Sequence, residues 1–232
     1  MIASLVFATV VQAPKNIPTD AEIVYPLMPS IEAEANADAS NVALDQSIHG
    51  VTLTLGKKET KYETLSLYKN TTKVEGTAVI TVAFESYRSG FGKDIPVTLL
   101  WSDEEVEPFD LNVRYSIPEK GQLGLYSLKY RVPVKKEATH SLKMKYSLPV
   151  GMSGIDREER LVAYRVMDIK QSSALEQFRM AIKYDSSTVF VPIDSKPNWG
   201  WQVGDKGAYL KMDGKKSNRD AILTFRYYPG GF

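Results

Sequence analysis

Two tryptophans two residues apart, Trp199 and Trp201, have the type and spacing to bind a ligand through their rings. In an extended segment residues i and i+2 point the same way, so both indoles would share one face, with Tyr209 placed to enlarge it. Exposed aromatic rings stack on sugar faces, whereas buried ones fill a core or a seam between domains. Trp199, Trp201 and Tyr209 are therefore the candidate ligand-binding residues.

A second signal is electrostatic. Leu128, Tyr130, Leu142, Met144 and Tyr146 alternate with Lys129, Arg131, Lys143 and Lys145, and the triplets Ser127-Leu128-Lys129 and Ser141-Leu142-Lys143 echo each other. Joined as one hairpin turning near Glu137, they would set Arg131 opposite Lys143 and Lys129 opposite Lys145. Like charges facing each other cost a sheet up to about 1 kcal/mol. Such a patch would attract an anionic polymer or acidic partner unless carboxylates on flanking strands neutralise it.

Catalytic signals are weaker. The acids Asp103, Glu104, Glu105 and Glu107, and the run Asp156-Arg157-Glu158-Glu159-Arg160, contain carboxyls enough for a glycosidase. That chemistry needs two of them roughly 5–10 Å apart across a cleft, which a local charge run does not supply. Ser66-Leu67-Tyr68-Lys69 matches a serine-x-x-lysine pattern, but in a strand positions three apart face opposite ways. Gly151-Met152-Ser153-Gly154 lacks the spacing of a nucleophile elbow. His49 and His140 are the only histidines, far apart in sequence, and there is no calcium-loop pattern and no cysteine. No catalytic residue, metal ligand or cofactor is assigned. Asn70-Thr71-Thr72 is an N-glycosylation sequon of use only in a eukaryotic secretory pathway.

The elements that must position these residues are strands. From Val51 to Tyr228 apolar and polar residues alternate with period two, broken by Gly, Pro, Asn and Asp. The inward faces read Val51-Leu53-Leu55, Leu65-Leu67, Ala78-Ile80-Val82-Phe84, Val97 to Trp101, Leu111-Val113-Tyr115, Tyr126-Leu128-Tyr130-Val132 and Leu142-Met144-Tyr146-Leu148. Seven strands over residues 49–150 match the pattern of an immunoglobulin-like β-sandwich, without its Cys and Trp signature. Residues 151–232 carry about six more, either a second smaller β-unit or further strands of one enlarged sandwich. Within this second part a short helical turn is expected only at 172–177, and the Ala-rich run from Ile31 to Asp45 could form another weak one.

Residues 14–48 differ in character, with Pro14, Pro18, Pro26, Pro29 and an Ala, Glu, Asp and Asn-rich second half. They hold six acids against Lys15 alone, about −5, leaving about +6 for residues 49–232. This part reads as an acidic leader or linker in which 22–25 adds one strand. Residues 1–13 form an apolar run ending Val11-Gln12-Ala13, the pattern of a cleaved signal peptide, although no Lys or Arg precedes it. No stretch reaches the roughly 20 apolar residues of a membrane-spanning helix.

The expectation is an all-β, exported, non-enzymatic binding or structural module at the cell surface or envelope. Its partner would be a protein, a polysaccharide or another copy of itself, and the small charge excess argues against nucleic acid. A carbohydrate-binding module with an aromatic platform is the alternative, and a glycan-active hydrolase stands third.

Overall fold

The computed structural model describes residues 21–34, 42–87, 94–114, 123–153, 158–166, 175–193, 200–213 and 221–230. In chain order these form β1 (Ile23–Pro26), β2 (Ser30–Ala33), β3 (Leu44–Thr54), β4 (Glu59–Asn70), β5 (Gly76–Tyr87), β6 (Thr98–Trp101), β7 (Glu104–Glu105), β8 (Asp110–Arg114), β9 (Leu123–Val134), β10 (Thr139–Pro149), β11 (Gly151–Met152), β12 (Arg160–Val166), β13 (Gln177–Lys183), β14 (Val189–Ile193), β15 (Gln202–Gly204), β16 (Gly207–Asp213) and β17 (Ala221–Tyr228). Among the described residues there is no helix. The all-β expectation holds.

Three sheets pack into two layers. One layer is an eight-stranded sheet in the order β15-β16-β13-β3-β4-β10-β6-β7. The other combines a five-stranded sheet, β1-β5-β9-β8 with β2 also on β5, and a four-stranded sheet, β11-β12-β17-β14. Strand β1 joins these two: it pairs with β5, while Glu22 and Met152 exchange backbone hydrogen bonds and the Met28 N–H donates to the Arg165 carbonyl. One contiguous core runs between the layers, from Phe84, Tyr126 and Tyr146 to Tyr164, Phe178 and Phe225. Strand β13 lies parallel to β3, so strands from both sides of Gly151 share one sheet.

Tyrosine is prominent in that core: Tyr25, Tyr62, Tyr68, Tyr126, Tyr130, Tyr164 and Tyr227 are all but fully buried. A buried phenol needs a partner, and most find one. Tyr25 Oη donates to Glu85 at 2.7 Å, Tyr227 Oη to the Gly56 carbonyl at 2.7 Å, and Tyr126 Oη accepts from the Ile95 N–H at 3.3 Å. The same logic reverses one expected face. In β4 the inward residues are Thr60, Tyr62, Thr64, Ser66, Tyr68 and Asn70, while Leu65 is 42% exposed on the outside with Leu67 beside it. Two large aromatic rings outweigh two leucines, and the inward Ser66 and Asn70 are satisfied by hydrogen bonds.

The segment read as a leader is also structural. Ala21, Ile23 and Tyr25 pack with Tyr87, Leu161 and Ala163 in a second small cluster, and Val24 enters the main core. Period two could not reveal this, because Ile23 to Pro29 are buried without a break, and the acids and prolines around them set the composition. The expected helical turn at 172–177 lies mostly outside the described residues, and Gln177 opens β13.

At the joint between β1, β5 and β12, the Arg165 guanidinium pairs with Glu85, whose other oxygen accepts from Tyr25. Removing one member of a buried pair leaves the other charge uncompensated, typically at a cost of about 3–5 kcal/mol. Arg165→Met should therefore destabilise the protein by about that amount, and Tyr25→Phe by about 1–3 kcal/mol. Urea unfolding of the single and double variants checks this: strictly additive losses for Tyr25→Phe and Arg165→Met would show that the trio does not act as a unit.

Candidate functional site

The expected basic hairpin does not form. β9 pairs with β5 and β8 in one layer, whereas β10 pairs with β4 and β6 in the other. Their apolar faces meet across the core instead of lying side by side, which buries both and separates the charges. Each cation has its own acid: Lys129 with Asp110 at 3.3 Å, Arg131 with Glu34 at 2.8 Å, Lys143 with Asp103 at 2.5 Å and Lys145 with Glu63 at 3.4 Å. Arg131 also lies 4.6 Å over the Phe109 ring. These four residues thus occupy opposite outer faces of the sandwich.

Asp103 serves a turn. Ser102 and Asp103 link β6 to β7 with both φ angles positive, 52° and 70°, a conformation costly for residues with a Cβ. The Ser102 N–H donates to the Ser141 carbonyl at 2.8 Å, and Lys143 tethers Asp103. Behind the turn, His140 stacks on Trp101 at 4.8 Å. The Lys135 N–H donates to His140 Nε2 at 3.2 Å, so in the neutral ring Nδ1 carries the proton and donates to Ser102 Oγ at 3.1 Å. Burial lowers the pKa of this imidazole.

The other histidine is a core residue. His49 is fully buried, with Nδ1 2.7 Å from Ser66 Oγ and Nε2 2.6 Å from Tyr164 Oη. The first distance suits a nucleophile and its base. All three side chains, however, are closed off between β3, β4 and β12, with no exposed atom for a substrate to reach. Their chemistry is structural: a neutral imidazole that donates to one hydroxyl and accepts from the other. Burial pushes the His49 pKa down to about 3.

The remaining acids divide between surface and interior. Glu104 and Glu105 form the exposed strand β7, and Glu107 is exposed. Glu159 is buried, with its carboxylate 3.3 Å from Arg226 and accepting from Tyr228 Oη at 3.2 Å. Asp156 and Arg157 lie outside the described residues. Among the described residues no three His, Cys, Asp or Glu side chains gather as a metal site would. The sequon also has a local explanation. Asn70 is fully buried, donates from Nδ2 to the Val74 and Lys135 carbonyls at 2.8 and 3.0 Å, and accepts from the Thr72 N–H and hydroxyl.

Of the aromatic trio, Trp199 lies outside the described residues. Trp201 is half-buried and packs edge-to-face on Phe225, centroids 5.0 Å apart, at the end of the sandwich closed by Tyr184 and Phe190. Tyr209 stands apart from it on the outer face of β16, 39% exposed and paired with Gln202 of the edge strand β15. That same face carries Arg179 on β13 directly opposite Lys211 on β16. The sequence alone carries no sign of this charge pair, since only the β13–β16 register brings the two together.

No protein-family model and no curated protein matches the chain. Among solved structures it is similar to a putative nutrient binding protein from Legionella pneumophila, with a TM-score of 0.65 and 13% identity over 90% of this chain and 72% of that one. An M1 zinc metallopeptidase from Deinococcus radiodurans aligns with 80% of this chain and 42% of its own at 9% identity, with a TM-score of 0.36 too low to bear on function. The first likeness defines the class, a β-sheet protein of the architecture seen in the Legionella structure.

Two outcomes follow. His49 has a folded-state pKa depressed from 6.5 to about 3, so its stabilising contribution is complete above pH 6.5 and is lost progressively as pH falls from there toward 3. The slope is about 1.4 kcal/mol per pH unit. Between pH 7.5 and 5 the unfolding free energy of the natural chain should fall by roughly 2 kcal/mol more than that of His49→Gln; parallel pH profiles would remove this role. Separately, Trp201→Ala should cost about 2–4 kcal/mol through its lost contacts with the core, while Tyr209→Ala should leave the melting temperature nearly unchanged. Equal losses would mean that Tyr209 is a packing residue too.

Proposed function

We propose that this chain is an exported, non-enzymatic binding module of the cell surface or envelope. The observation that carries the reading is its likeness, over 90% of its length, to a structure described as a putative nutrient binding protein. The site chemistry supports it in a second way. The groups in the interior that could serve catalysis, His49, Ser66, Glu85 and Glu159, are each committed to partners that hold strands together. Recognition then falls to the outer sheet faces, where cations and Tyr209 stand in solvent. The apolar run of residues 1–13 supports export.

Both parts of this reading are testable. Expressed from its full sequence in bacteria, the chain should be recovered outside the cytoplasm without residues 1–13, as read by intact mass; cytoplasmic protein still beginning at Met1 would sink export. The purified chain, challenged with oligosaccharides, peptides and small nutrients, should gain several degrees in melting temperature with at least one class while leaving it chemically unchanged. Turnover of any bound glycan would instead favour the hydrolase reading.

A further inference from the structure

The outer face of β13 and β16, at one end of the eight-stranded sheet, has an arrangement that the fold itself does not explain. Arg179 and Lys211 are a directly opposed pair in the antiparallel ladder, both exposed, with side chains starting about 4.5–5.5 Å apart. Neither forms an ion pair with a described carboxylate, in contrast to Lys129, Arg131, Lys143 and Lys145. Lys183 extends the same face beyond Ala181, and Asp213, paired with Gln177, is the one acid on the two strands. Like-charge opposition on a ladder is unfavourable in the free protein. A ligand that supplies negative charge relieves it.

The neighbouring groups narrow the chemistry of that ligand. Arg179 Nε donates to Gln177 Oε1 at 2.7 Å, which fixes the guanidinium plane and leaves both terminal nitrogens without a partner among the described residues, able to take a carboxylate fork. Tyr209, two residues before Lys211 and on the same side, offers an exposed ring of the kind that stacks on a sugar face. Gln202, opposite Tyr209 on the edge strand, adds an exposed amide able to bond hydroxyls. Single-stranded nucleic acid is a poorer fit, because it uses a row of aromatic rings along a strongly basic groove, and here a single ring meets three cations.

We propose that Arg179, Lys211, Tyr209 and Gln202 form a binding site for an anionic glycan bearing carboxylates, a chain of uronic-acid residues. Arg179 and Lys211 hold a carboxylate, the Tyr209 ring covers the sugar face beside it, and Gln202 bonds a hydroxyl. Lys183, farther along the same face of β13, continues the positive charge. This inference rests on the binding-module reading and names the ligand class and the surface.

Calorimetric titration of the full chain with a galacturonate hexasaccharide tests it, with neutral maltohexaose and a short single-stranded DNA as comparisons. The uronate should bind with an affinity that falls as salt rises, and maltohexaose should not bind. Arg179→Gln and Lys211→Gln should each weaken uronate binding about tenfold or more, and so should Tyr209→Ala. Because it relieves the like-charge pair, Lys211→Gln should hold or raise the melting temperature while binding falls, a combination that general destabilisation does not produce. The site is overturned if the uronate does not bind, if it binds equally well to Arg179→Gln and Lys211→Gln, or if the DNA binds as tightly. A failure here alongside a melting-temperature gain with some other ligand class would leave the binding-module reading standing and remove only this surface.

Discussion

The buried trio of Tyr25, Glu85 and Arg165 is the point on which the second layer turns. Glu85 belongs to β5 and Arg165 to β12, strands of two different sheets, and Tyr25 reaches them from the strand that lies between. A buried ion pair adds little net stability once desolvation is counted. Its contribution here is geometric: three side chains from three strands meet at one carboxylate, and β1 is pinned where it pairs with β5 while the residues flanking it meet Met152 and Arg165 through their backbone. With β1 in place the two smaller sheets act as one wall, long enough to cover the eight-stranded sheet opposite.

Behind that wall the interior is unusually rich in hydroxyls. Tyr68 accepts from Gln46 at 3.2 Å, His49 sits between Ser66 and Tyr164, and Asn70 ties the end of β4 to the crossing between β9 and β10. Each bond removes a desolvation penalty that would otherwise fall on a buried polar atom. Pairing groups this closely also removes them from chemistry at the surface. The same strands thereby hold the fold with their inner sides and turn their outer sides to solvent, Ser66 inward and Leu65 outward on β4, Met180 inward and Arg179 outward on β13.

Alternation made the class legible, because a period of two is a property of each strand alone. It identified the inward faces of β5, β9, β10 and β13, where aliphatic and aromatic residues alternate with charges. It misjudged β4, where tyrosine and serine rather than leucine face the core, since tyrosine suits either side. Pairing was less legible. The echo between Ser127-Leu128-Lys129 and Ser141-Leu142-Lys143 implied neighbours, yet the strands face each other across the core, a relation that period two permits equally. The Arg179–Lys211 opposition depends on register between strands that β14 and β15 separate in the chain, and the acidic stretch around Ile23 hid a core strand because its residues are buried on both faces and show no alternation. The tryptophan signal was local, and it did not show that Trp201 packs edge-to-face on Phe225 at the end of the sandwich.

The parallel ladder between β3 and β13 has a consequence in time. Gly50 and Arg179, neighbours in the sheet, are about 130 residues apart in the chain. Closing so long a loop carries a large entropic cost before any contact rewards it, and topologies dominated by such distant pairings fold slowly. During synthesis β3 emerges with one edge unpaired and stays so until about 130 further residues have followed. The finished architecture is thus available only to the whole sequence, and its earlier portions spend that interval with an exposed strand edge at the centre of what will become the largest sheet.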